Sequence, residues 1–134
     1  MFDSLDISAS GLRAQRVRMD TIAQNVANIN TTHDEQGRAV PYRRRFAVFT
    51  PGQPEDSGKP GVRVSRIELD RSPFRKVYDP TNPDADAEGN VLYPNIDLAV
   101  EVVNAMEASR AYEANVTAME VTKAMINASL RLLV

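Results

Sequence analysis

Apolar side chains recur at a fixed rhythm along the first part of the chain. Leu5, Leu12, Met19, Ile22, Val26 and Ile29, with polar Ser8 and Gln15 completing the series, follow one another at alternating intervals of three and four. That rhythm keeps one stripe on one face of a helix and is the seam of a coiled-coil-like pair. Ser8 and Gln15 weaken such a seam while restricting its register, so the stripe needs a specific mate. Ser4 is placed to cap the helix, which would extend about 39 Å at ~1.5 Å per residue.

The end of the chain repeats the rhythm over a longer span. Val102, Met106, Ser109, Tyr112, Val116, Met119, Thr122, Ile126, Leu130 and Leu133 stand three or four apart, and Ala99, Ala105, Ala108, Ala111, Ala114, Ala118, Ala124 and Ala128 keep the other faces slim. Asn95 is placed to cap this helix and Asp97 to favour its positive end. A helix from there to the end would be about 57 Å long. It cannot bury its apolar surface on one shorter helix, so part of that surface must meet other chains. A monomeric helical hairpin with a β appendage is the competing arrangement.

Helix breakers separate the two stripes. All eight prolines lie between Pro41 and Pro94, and five of the six glycines between Gly37 and Gly89. Within this middle part, 45–50, 61–69 and 74–78 read as short strands. The fold class is therefore α+β: long N- and C-terminal helices packing as a coiled-coil-like helical domain, with a small β-rich insert between them. The expected units are 1–31, 32–94 and 95–134.

With 134 residues, of which 43% are hydrophobic, there is room for one modest core. Sixteen Lys and Arg against eighteen Asp and Glu leave a net charge of -2, which gives no overall attraction for nucleic acid or an anionic membrane. Without cysteine there is no disulfide, thiolate metal site or Cys nucleophile. Residues 1–6 lack the basic start and apolar run of a secretory signal, and no later run is long and apolar enough for direct membrane insertion.

Three segments invite chemistry. Asp84-Ala85-Asp86-Ala87-Glu88-Gly89-Asn90-Val91 begins like a calcium loop, but Asn95 stands where a bidentate Glu should close it, so a solvated acidic turn is the expectation. Arg43-Arg44-Arg45, within a segment of ten basic and four acidic residues from Arg38 to Lys76, could meet phosphates, although the acids that follow would compensate it within or between subunits. His33 has no second nitrogen ligand or nucleophile nearby in sequence and reads as a solvent-exposed side chain. The reading is a protein that is not an enzyme, with no catalytic, cofactor or metal residues; a calcium-binding or nucleic-acid-binding module is the alternative from another class.

Ile7-Ser8-Ala9-Ser10-Gly11-Leu12-Arg13-Ala14-Gln15-Arg16, followed by Asn25-Val26-Ala27-Asn28-Ile29-Asn30-Thr31, resembles the N-terminal signature of flagellar rod and hook axial proteins. Its family residues are Ser10, Gly11, Leu12, Asn25, Ala27, Asn28, Asn30 and Thr31. Pro41-Tyr42-Arg43-Arg44, Asp79-Pro80, Tyr93-Pro94-Asn95 and Ala108-Ser109-Arg110-Ala111-Tyr112-Glu113-Ala114-Asn115 extend the resemblance to the proximal members of the flagellar basal-body rod family. Asp97, where relatives often have Asn, and Thr32-His33-Asp34-Glu35 depart from the pattern. The resemblance implies a structural subunit of the periplasmic rod, exported without a cleaved signal, that packs around an export channel and transmits torque. Its partners would be copies of itself, other rod and basal-body proteins and the flagellar export apparatus, with no cofactor and no nucleic acid. The expected assembly residues are those of the two stripes: Leu5, Leu12, Gln15, Met19, Ile22, Val26 and Ile29 on the first, and Val102, Met106, Tyr112, Val116, Met119, Ile126 and Leu130 on the second. Another rod or hook component is the alternative within the class, and the short insert favours a proximal one.

Overall fold

The computed structural model describes residues 2–134, so that Met1 lies outside them. Helix α1 (Phe2–Ala27) is followed by strands β1 (Arg45–Pro51), β2 (Val62–Leu69), β3 (Arg75–Tyr78) and β4 (Asn90–Tyr93), and then by helix α2 (Leu98–Leu132). The α+β class expected from the breaker distribution is the one observed. Two caps differ from expectation. Helix α1 already begins at Phe2, so Ser4 lies inside its first turn, where Asp3 complements the positive helix end. Helix α2 is capped by Asp97 rather than Asn95: the Asp97 carboxylate accepts the Ala99 N–H at 2.9 Å.

Past Ala27 the chain closes α1 with a turn. Asn28 donates its side-chain amide to the Gln24 carbonyl at 2.8 Å and accepts from the Thr31 hydroxyl at 3.1 Å. Competition of this kind between side chain and backbone is what ends a helix at Asn-rich sequence. Ile29, the last member of the predicted seam, falls in this turn.

The insert holds two separate two-stranded antiparallel sheets. In the first, Arg45 lies opposite Leu69 and Pro51 opposite Val62, with an irregularity between Val48 and Phe49. In the second, Arg75 lies opposite Tyr93 and Tyr78 opposite Asn90. Strand β4 was not anticipated, because its four residues directly follow the acidic turn and show no alternation of their own.

Helix α1 packs against both α2 and the β1–β2 hairpin. Asn25 meets Glu101, Arg18 meets Glu107 and Gly11 meets Asn115, so the helices are antiparallel. Carried on at that register, α1 runs out near Ala124, and the last turns of α2 project beyond it. The core is small: Ala14, Ile22, Val91, Ile96 and Ala108 are its buried hydrophobic side chains, beside buried Ser8, Ser10, Thr21, Asn25 and Glu101. Small side chains let the backbones approach closely. A Cβ on Gly11 would stand 2.8 Å from the Asn115 amide nitrogen.

Candidate assembly interface

The insert is fastened to the helices by a buried polar cluster. Asn25, on the last turn of α1, is fully buried; its amide donates to the Arg45 carbonyl at 2.7 Å and to Glu101 Oε2 at 3.3 Å. Its oxygen accepts the Arg45 N–H at 3.0 Å and the Tyr42 hydroxyl at 3.3 Å. Glu101, on the first turn of α2, is 0% exposed and takes the Arg44 guanidinium on its other oxygen. Arg44 also reaches Asp70 at 3.5 Å. The charge of Glu101 is buried because it is both paired and hydrogen-bonded. Burial raises the Tyr42 pKa, so its hydroxyl stays protonated as a donor. Hydrogen bonds from Ser72 hold the Asp70 carboxyl below the ordinary 3.8 against partial desolvation, and Arg44 lowers it further.

A second fastening lies about a third of the way along α1. The Ser10 hydroxyl donates to the Ile7 carbonyl at 2.6 Å and accepts the Val62 N–H at 3.1 Å, pinning the start of β2 to the helix. Gly61 must precede it: its φ is 145°, and a Cβ there would stand 2.7 Å from Ser10 Oγ.

What the chain leaves uncovered is mainly α2. Glu101 and Ala108 are its only buried residues, whereas Val100, Val102, Val103, Met106, Val121, Met125, Leu130 and Leu132 are all exposed. A surface helix normally confines its apolar residues to the face that meets the core. On α2 they extend around it and along most of its length.

Within the chain, the residues of the first expected stripe are buried or half-buried, and those of the second divide between half-buried and exposed positions. Leu5, Leu12, Gln15, Met19, Val26 and Ile29 are half-buried and Ile22 is buried. On α2, Tyr112, Val116, Met119 and Ile126 are half-buried, whereas Val102, Met106 and Leu130 are 47%, 53% and 54% exposed. The face turned toward α1 is marked by Glu101, which meets Asn25, and Asn115, which meets Gly11. The alanines are thus not all on slim outer faces, since Ala108 is 0% exposed.

Of the motif residues, Ser10 and Asn25 are built into these fastenings, Gly11 lies against Asn115 of α2, Leu12 is half-buried, and Asn28 and Thr31 form the closing turn. The Thr31 carbonyl also accepts the Tyr42 N–H at 2.9 Å. Ala27 and Asn30 are exposed. Arg44, Glu101, Tyr42 and Asp70 were not foreseen as a cluster. The available signal was Glu101 itself, a carboxylate four and seven residues before Ala105 and Ala108 and so on their face.

The segments that invited chemistry resolve as structure. Asp86 Oδ1 accepts the N–H groups of Glu88 and Asn90, both at 2.9 Å, and Asn82 Oδ1 accepts that of Asp84 at 2.9 Å, so the acidic segment is a series of side-chain-closed turns. Among the described residues no three His, Asp or Glu side chains gather as metal ligands. His33 is not merely exposed: its Nε2 lies 3.0 Å from Asp84 Oδ2, tying the turn after α1 to the acidic segment. Arg43 donates to the Asp70 and Ser72 carbonyls at 2.9 and 3.1 Å and lies 4.2 Å over the Phe74 ring. Arg45 lies 5.4 Å from the Tyr42 ring. Each arginine of the run is engaged inside the chain.

Comparison with known proteins follows the same division. A family model described as "Flagella basal body rod protein" matches residues 5–32, and one described as "Flagellar basal body rod FlgEFG protein C-terminal" matches residues 87–132. The flagellar basal-body rod protein FlgC of Bacillus subtilis is 47% identical to this chain, over 98% of it and 97% of its own length. The FlgC proteins of Borreliella burgdorferi and Escherichia coli O6:H1 are 39% and 37% identical, covering 99% and 98% of this chain and 97% of theirs. With both helices and the insert included in these alignments, the chain belongs to the FlgC family of flagellar basal-body rod proteins.

Proposed function

We propose that the chain is a structural, non-catalytic subunit of the proximal rod of a bacterial flagellum, working by repeated packing rather than by chemistry. The observation that carries this reading is the uncovered apolar surface of α2, long, multi-sided and larger than α1 or the insert can cover. An exposed apolar surface of this extent marks a site of interaction with other chains. In the rod, residues 1–31 and 95–134 act as the helical assembly unit, with 32–94 lying further from the axis. Copies of the chain and other basal-body proteins supply the contacts, around a channel that remains open for export. Many weak helix contacts repeated around an axis bear twist because several neighbours hold each subunit. The chain reaches the periplasmic rod through the flagellar export apparatus.

The test is complementation of a motile bacterium lacking its own member of this family. The chain restores motility and is found in isolated basal bodies, and Met106→Asp with Met125→Asp abolishes both while leaving the free chain folded. Motility restored by that double variant, or wild-type chain absent from the basal bodies of motile cells, would overturn the reading.

A further inference from the structure

Charges in the insert are segregated and largely unpaired. Among the described residues, Asp79, Asp86 and Glu88 have no cationic partner, although their turn also contains Pro80, Pro83, Ala85 and Ala87. On another part of the molecule, between α1 and β2, lies a groove of 350 Å³ walled by Val17, Pro54 and Val64 and carrying Arg13 and Arg63. Neither arginine has a carboxylate partner, and Arg63 Nε is buried with no acceptor at all. Buried guanidinium N–H groups are ordinarily satisfied, and a carboxylate is the acceptor that matches them best.

We propose that this groove receives the acidic turn of a second copy of the chain, residues 79–89, with its carboxylates on Arg13 and Arg63 and its small apolar residues against Val17, Pro54 and Val64. The turn cannot reach its own groove. His33 holds it through Asp84 beside the end of α1, and Arg13 lies about 21 Å back along that helix from Ala27 at ~1.5 Å per residue. Donor and acceptor patches at different places on one molecule make a head-to-tail contact, which extends into a ring or a helical array. The proposal deepens the reading of the chain as a rod subunit and rests on it.

Because the chain has no cysteine, the contact can be trapped without background. Purified full-length Ser65→Cys, marking the groove, is mixed with Ala87→Cys, marking the turn, under mild oxidation. A covalent dimer is expected in the mixture at a yield roughly tenfold above either variant alone, falling at high salt because the contact is ionic. Adding Arg13→Glu to the first variant or Glu88→Lys to the second lowers the yield, and combining both restores it, which a folding defect would not do. Equal yields in the mixture and the single variants, or no restoration in the swapped pair, would overturn the proposal. If the cross-link fails while the unmodified chain supports motility, the groove contact is removed and the rod reading stands; failure of both would remove both.

Discussion

At Glu101 a full charge sits at 0% exposure with Arg44 on one oxygen and the Asn25 amide on the other. Removing one member of such a pair strands the other, so Glu101→Ala is expected to cost about 3–5 kcal/mol in denaturant unfolding of the free chain. The Arg44→Ala, Glu101→Ala double variant should cost less than the sum of the singles. Additive costs would mean that the pair is not a unit. Asp70 gives the cluster a pH dependence. Its folded pKa lies below the ordinary 3.8, so its contribution is present above that value and is lost as pH falls through the lower folded one. Acid titration should show the chain losing stability more steeply below pH 3.8 than Asp70→Asn does, and parallel curves would contradict this. Gly11 offers a test of opposite sign. Alanine there meets the Asn115 side chain at 2.8 Å, so Gly11→Ala should destabilise the chain; with Asn115→Ala already present it should instead gain up to about 1 kcal/mol from helix propensity. Ser10, Gly11 and Asn25 could be singled out from the motif. The Arg44–Glu101 pair could not, because its partners are 57 positions apart and each alone resembles an ordinary surface charge.

Both helices were legible because their sequences contain almost no breakers while the middle is full of them. The division of α2 into a mating face and an outer face was not. Periodicity locates stripes but not which of their residues mate within the chain: Ala108 is buried while Val102 and Met106 remain exposed. The two kinds of position should respond differently to the same change. Ile22→Asp puts a charge at a 7% exposed site and should cost the free chain several kcal/mol, on the order of 3 or more. Met106→Asp, at 53% exposure, should shift the free chain by no more than about 0.5 kcal/mol and yet prevent incorporation into rods. Thermal unfolding of the free variants, set beside recovery in basal bodies, separates the two. Strand β4 escaped the sequence reading for a different reason: four residues are too few to establish a period.

Over the whole molecule, a core of few apolar side chains supports a helix of 35 residues, about 52 Å long at ~1.5 Å per residue, whose outer faces are rich in valine, leucine and methionine. The internal contacts fix the insert against α1 and leave the outer faces of α2 uncovered within the chain. Beyond Ala124 α1 no longer runs alongside. The most direct measurement is high-resolution imaging of basal bodies built with this chain. The account predicts that Val103, Met106, Val121, Met125 and Leu130 are covered by neighbouring subunits while the Asn25–Arg44–Glu101 cluster keeps its present geometry. A rod in which those α2 side chains face open solvent, or in which the insert has detached from α1, would contradict it.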